Sequence, residues 1–208
     1  MRIVTAEEFE NWLANGEVLE MDGRGPKVIR LSDNQLFKVF RPRRRLWLAR
    51  LSPQAQRFKR NAEQLLARGI TVPAINECLW LDKKKAVSGC IYAPLPGCSL
   101  EQIYRRSHNE FSLLVPQFAA FILQLHQRGI YFRSLHLGNV LMLPSGEFGL
   151  IDFLDLQFKA APLNPWLIKR NLAHLHGYLR RNQIDDFPWM ALQAAYAQAI
   201  QKSINQPN

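Results

Sequence analysis

Three stretches of this 208-residue chain hold polar residues where apolar neighbours leave them little reason to be. LFKVF sets Lys38 inside an apolar strand. FRSLHLGNVL, residues 132–141, carries Ser134, His136 and Asn139, and GLIDFLDLQF carries Asp152 and Asp155. An aspartate between Ile151 and Phe153 needs compensation if buried, from a metal or from a helix cap. Asn139 suits a turn after Gly138. Lys38 would be unremarkable on the solvent side of an edge strand, yet Phe37, Val39 and Phe40 flank it. Phosphoryl transfer draws on such a set: cations neutralise charge on phosphates, and positioning does most of the rest.

The elements that must position these residues are legible as patterns. Thr5-x-x-Glu8 ahead of Phe9, Trp12 and Leu13 predicts a capping box and a short helix. From Val18 to Arg41 apolar residues alternate between glycine and SDN turns, which predicts two or three antiparallel strands. Ser52–Arg68 reads as a helix opened by Pro53 and closed before Gly69. Two strands around LDKKK follow. After Leu95-Pro96-Gly97 the pattern turns helical, over Ser99–Tyr104, Phe111–Arg128, 164–181 and 187–203. Short strands and loops fill 130–158. The order predicts an α+β, two-lobed chain, with an antiparallel-sheet lobe carrying one main helix over 1–94 and a mostly helical lobe over 95–208.

Apolar residues make up 48% of the chain, enough for a sizeable core. No 18-residue apolar run predicts a membrane span, and the first residues lack the marks of a signal peptide. Cys78, Cys90 and Cys98 fit neither a zinc site nor an even disulfide framework, which predicts reduced thiols and a cytoplasmic setting. The net charge of +10 favours an anionic partner. RPRRRLWLAR, residues 41–50, concentrates that charge around Trp47 and suits the inner face of an acidic membrane. The alternative for this stretch is a solvated loop with Trp47 tucked into the core.

The phrases RFKRNAEQLLARGITVP, IYAPLPGCSL, LHQRGIYFRSLHLGN and GLIDFLD, taken in order, resemble the protein-kinase-like superfamily. The nearest likeness is to small bacterial lipopolysaccharide-core sugar kinases and the related toluene tolerance proteins. The resemblance spans residues 57–155 and implies a two-lobed fold that binds ATP with Mg²⁺. It implies that Lys38 grips phosphates, that Glu63 orients Lys38, and that Asn139 and Asp152 hold the metal. IYAPLPGCSL would be the linker whose backbone meets adenine. Ser134 stands where the family has its catalytic aspartate, the glycine loop is reduced to DGRGPK, and only 56 residues follow Asp152.

A serine cannot ionise at pH 7 but can orient a hydroxyl. General-base assistance is worth roughly 10²–10⁴-fold, and the loose transition state of phosphoryl transfer does not depend on it alone. His136 or Asp155 could take over the missing role. The expectation is a slow kinase acting on an anionic sugar or lipid-linked acceptor, such as a lipopolysaccharide-core heptose, with peripheral contact to the inner membrane surface. The alternative is a pseudokinase that binds nucleotide or serves as a scaffold in envelope biogenesis. Nucleic acid is the least favoured partner, since beyond the Trp47 region the sequence lacks basic stretches interleaved with several stacking aromatics.

Overall fold

The computed structural model describes residues 1–205. The chain divides into two compact units, the first Met1–Leu95 and the second beginning at Pro96. The architecture is α+β, with seven α-helices among the described residues and a mainly antiparallel sheet of five strands. Among these residues no helix is long and apolar enough to cross a membrane. Among the described residues Cys78, Cys90 and Cys98 are not joined in a disulfide.

The first unit is built on strands β1 (Glu17–Asp22), β2 (Gly25–Arg30), β3 (Leu36–Phe40), β4 (Ile75–Asp82) and β5 (Val87–Tyr92). Their order in the sheet is β1-β2-β3-β5-β4, so β3 is central. Side chains alternate between the two faces of a strand. On one face Phe37 and Val39 join Ile29, Leu79 and Ile91 beneath Phe9, Trp12 and Leu13. Those last three belong to helix α1 (Ala6–Asn15). Thr5 caps α1 by accepting from the Glu8 amide at 3.1 Å. The Glu8 carboxylate turns to Arg2 at 2.7 Å, so the expected capping box is only half formed. Phe37 is fully buried, which is worth about 1.5–3 kcal/mol in transfer free energy. Its ring lies over Gly89 of β5, where a Cβ would collide with it.

Helix α2 (Leu46–Leu51), which the sequence pattern did not suggest, precedes α3 (Gln54–Ala67). Pro53 is the N-cap residue of α3, just outside its first turn. The Ser88 hydroxyl accepts from the Ala55 amide at 3.3 Å, which satisfies one orphan donor of the helix start. Phe58 of α3 packs on the other sheet face, 5.4 Å from Phe40 and 6.2 Å from Tyr92 between ring centroids. The half-buried Cys78 thiol donates to the Ala55 carbonyl at 3.4 Å, and burial pushes its pKa up.

The second unit opens with β6 (Cys98–Ser99), α4 (Leu100–Arg106) and α5 (His108–Gln127). Ser99 and Gln102 form a complete capping box at the start of α4. After α5, Gly129 turns the chain at φ +68°, and a Cβ there would press within 2.6 Å of the Lys159 carbonyl oxygen. Next come β7 (Ile130–Phe132), a single 3₁₀ turn over Leu137–Asn139, β8 (Val140–Met142), β9 (Phe148–Leu150) and β10 (Leu156–Phe158). Strands β6, β8 and β9 form one small sheet, and β7 pairs with β10 in another. Helices α6 (Pro165–Arg181) and α7 (Trp189–Asn205) complete the unit.

Candidate functional site

Lys38 occupies the middle of β3, opposite Val28 on β2 and Cys90 on β5. It is 6% exposed, and its Nζ lies 5.6 Å from the centroid of the Phe58 ring. Its neighbours at i±1 serve the α1 core, so strand alternation turns Lys38 toward α3. The edge-strand alternative is therefore wrong: β3 is central, and Lys38 is buried with the Phe58 ring beside its ammonium. An aromatic face partly offsets that burial.

Glu63 does not share this environment. On α3 the buried residues are Ala55, Phe58, Asn61, Ala62 and Leu65, whereas Glu63 is exposed. Two residues along a helix is a rotation of about 200°, so Glu63 stands nearly opposite Asn61. The buried polar residue of α3 is an amide, at 6% exposure. The pairing of Lys38 with Glu63 asks for a carboxylate on the face where Asn61 sits. A break in the apolar stripe at Phe58, Ala62 and Leu65 was the signal for Asn61.

In the second unit, antiparallel pairing sets the chemistry. Val140 pairs with Leu150 across β8 and β9, and the Ile151 amide donates to the Asn139 carbonyl at 3.0 Å. Asn139 therefore closes the ladder, and Asp152 follows at its open end. Asn139 is 6% exposed, and its Nδ2 donates to the Ser134 carbonyl at 3.0 Å. That bond fixes the amide with Oδ1 as its remaining acceptor. Asp152 adopts φ +51°, a left-handed backbone that aspartate tolerates better than most residues.

The β7–β10 pair does the same for two further residues. Leu156 pairs with Phe132, so the segments just past this end carry Ser134 and Asp155 side by side. The Ser134 hydroxyl donates to Asp155 Oδ2 at 2.7 Å. Asp155 Oδ1 is buried with no hydrogen-bond partner. A carboxylate thus reaches the position of Ser134 from three residues beyond Asp152.

His136 stacks on Tyr178 of α6, with centroids 4.2 Å apart and planes 9° from parallel. Tyr178 donates to Glu101 Oε2 at 2.6 Å, and Arg105 holds Glu101 Oε1 at 2.7 Å. Burial lowers the His136 pKa, against the opposing pull of Glu101, Asp152 and Asp155. Its Nδ1 is buried without a partner. The stacking is a packing role, and the orphaned nitrogen is a second polar atom with hydrogen-bonding capacity to spare.

Beneath this loop lies a network that motif reading missed. His126 at the end of α5 is 1% exposed. Its Nδ1 lies 2.7 Å from the Tyr196 hydroxyl and its Nε2 lies 3.1 Å from Asn171 Oδ1. Asn171 Nδ2 donates to the Phe132 carbonyl at 2.6 Å. That assigns Asn171 Oδ1 as acceptor, so Nε2 carries the proton and Nδ1 accepts from Tyr196. Burial pushes the His126 pKa down to about 4, with the Asn171 hydrogen bond opposing. The only sequence signal was a histidine on the apolar stripe of α5. No family model matches the chain, and no curated protein matches it either.

Proposed function

We propose that the chain is a kinase-like phosphotransferase that binds ATP with Mg²⁺ and transfers its terminal phosphoryl group to an anionic sugar hydroxyl. The observation that carries this reading is the ladder end at Asn139 and Asp152, flanked by the Ser134–Asp155 hydrogen bond. Among the described residues no three His, Cys, Asp or Glu side chains gather to hold a metal. A magnesium ion suits a sparser set, one or two carboxylates with phosphate and water oxygens. Asn139 Oδ1 and the Asp152 carboxylate would be its protein ligands. When bound, the ion would neutralise charge on the transferred phosphate.

The protein's own residues would act as follows. Lys38 would supply a buried positive charge to the nucleotide phosphates. Ser134 Oγ donates its proton to Asp155, so its lone pairs are available to accept from the attacking hydroxyl. As the acceptor oxygen bonds to phosphorus and the bond to the departing ADP oxygen breaks, the acceptor proton would pass to Ser134 while the serine proton moves to Asp155. The basic surface supports an anionic acceptor, and the choice of a core heptose rests on the resemblance alone.

A pseudokinase is the second reading, favoured by Ser134 itself and by the exposure of Glu63. The test is phosphoryl transfer from labelled ATP to lipopolysaccharide-core acceptors, with Asp155→Asn as the paired variant. Transfer that falls in Asp155→Asn supports the kinase. Magnesium-dependent ATP binding with no transfer to any core acceptor supports the pseudokinase.

A further inference from the structure

We infer that the segment Arg43–Leu51 is a docking surface for the anionic face of a lipid bilayer. This inference concerns a different surface and does not rest on the nucleotide reading. Helix α2 has no buried residue. Trp47 is 62% exposed and Leu51 is 78% exposed. At i and i+4 they share one helix face, and Leu46 and Leu48 are exposed beside them. The alternative of Trp47 packed in the core is thereby removed. Four large apolar side chains on six consecutive residues form a contiguous patch rather than scattered surface leucines.

The charge around this patch is one-sided. Between Asp33 and Glu63 the chain has no acidic residue and nine lysines or arginines. Arg43, Arg44, Arg45 and Arg50 are all exposed. Asp22 lies within electrostatic range of Arg41 and Arg43, and its carboxyl is held low first by the Arg24 amide and then by these cations. One carboxylate leaves the surplus intact. Tryptophan favours the headgroup level, leucines favour the acyl boundary, and arginines favour anionic lipid. A nucleic acid would use the cations and a single stacking ring, and the three leucines would gain nothing from it.

The experiment is co-sedimentation of the full chain with vesicles of phosphatidylcholine, alone or mixed with phosphatidylglycerol. The expected result is binding to the mixed vesicles that weakens with salt. Replacing Arg43, Arg44 and Arg45 by Gln should lower partitioning roughly a hundredfold, at the usual gain per basic residue near such a surface. Trp47→Ser with Leu51→Ser should also release the protein. All five side chains are exposed, so the melting temperature should not move. Quenching of tryptophan fluorescence by brominated lipid should be lost in Trp47→Phe, which separates Trp47 from the equally exposed Trp166. Equal binding to both vesicle types, no quenching, or variants that bind as the wild type does would overturn the proposal. So would salt-sensitive binding to single-stranded RNA without binding to vesicles.

Discussion

Ser134 donates a hydrogen bond to Asp155 across the open end of the β7–β10 pair, at 2.7 Å. The residues are 21 apart in sequence and meet because Leu156 is in register with Phe132. A loop whose own position lacks a carboxylate acquires one from the turn just before β10. This makes Asp155, rather than Ser134 alone, the residue to test for proton transfer.

Asp155→Asn keeps a hydrogen-bond acceptor for Ser134 and removes the charge. Transfer should fall by roughly 10²–10⁴-fold in kcat with ATP affinity unchanged. Single-turnover kinetics alongside nucleotide titration separates the two. A matching loss of ATP affinity would place Asp155 in binding instead.

Acid should destabilise the fold through His126. Its pKa is about 4 when folded, against an ordinary value of 6.5. The unfolded chain therefore binds more protons over that interval, so stability is intact above pH 6.5 and drains away as pH falls toward 4. The full loss is about 3 kcal/mol at 1.36 kcal/mol per pKa unit. Denaturant melts between pH 7 and 4 should show the decline, and His126→Gln should flatten it while lowering stability at neutral pH.

Asn171→Leu would strand His126 Nε2 and remove one donor from the Phe132 carbonyl, which keeps the Leu135 amide at 3.2 Å. Each buried orphan costs about 1–3 kcal/mol. Equilibrium unfolding should register a loss in that range. Because Phe132 lies two residues before Ser134, transfer activity should fall further than ATP affinity.

Glu63→Gln should leave stability within about 0.5 kcal/mol, as exposed substitutions usually do, and leave ATP affinity as it was. Asn61→Leu, on the buried face of α3, should disturb both. The comparison in one titration series assigns the polar partner of this helix.

The larger elements were readable because their patterns are local. Alternation gave β1 to β3, the LDKKK turn gave β4 and β5, and Gly129 marked the end of α5. Helix α2 escaped because LWLARL is six residues long, too short for its apolar residues to establish a helical period. Glu63 attracted attention as the carboxylate of α3, but charge does not say which side of a helix faces the sheet; the spacing of Phe58, Ala62 and Leu65 does. Asn139 and Asp152 stood out by their neighbours. The Ser134–Asp155 and His126–Asn171 bonds depend on strand register and on α5 meeting α6, which no short window of sequence encodes.

The most direct measurement is a thermal-shift titration with ATP, with and without Mg²⁺, on the wild type and on Asp152→Asn. Asparagine tolerates the φ of +51° at this position, so the variant should fold. A ligand at about 100 times its Kd stabilises by about 2.7 kcal/mol. The account predicts a magnesium-dependent rise in Tm that Asp152→Asn loses and Lys38→Met weakens. No rise at millimolar ATP, or a rise indifferent to magnesium and to Asp152, would contradict it.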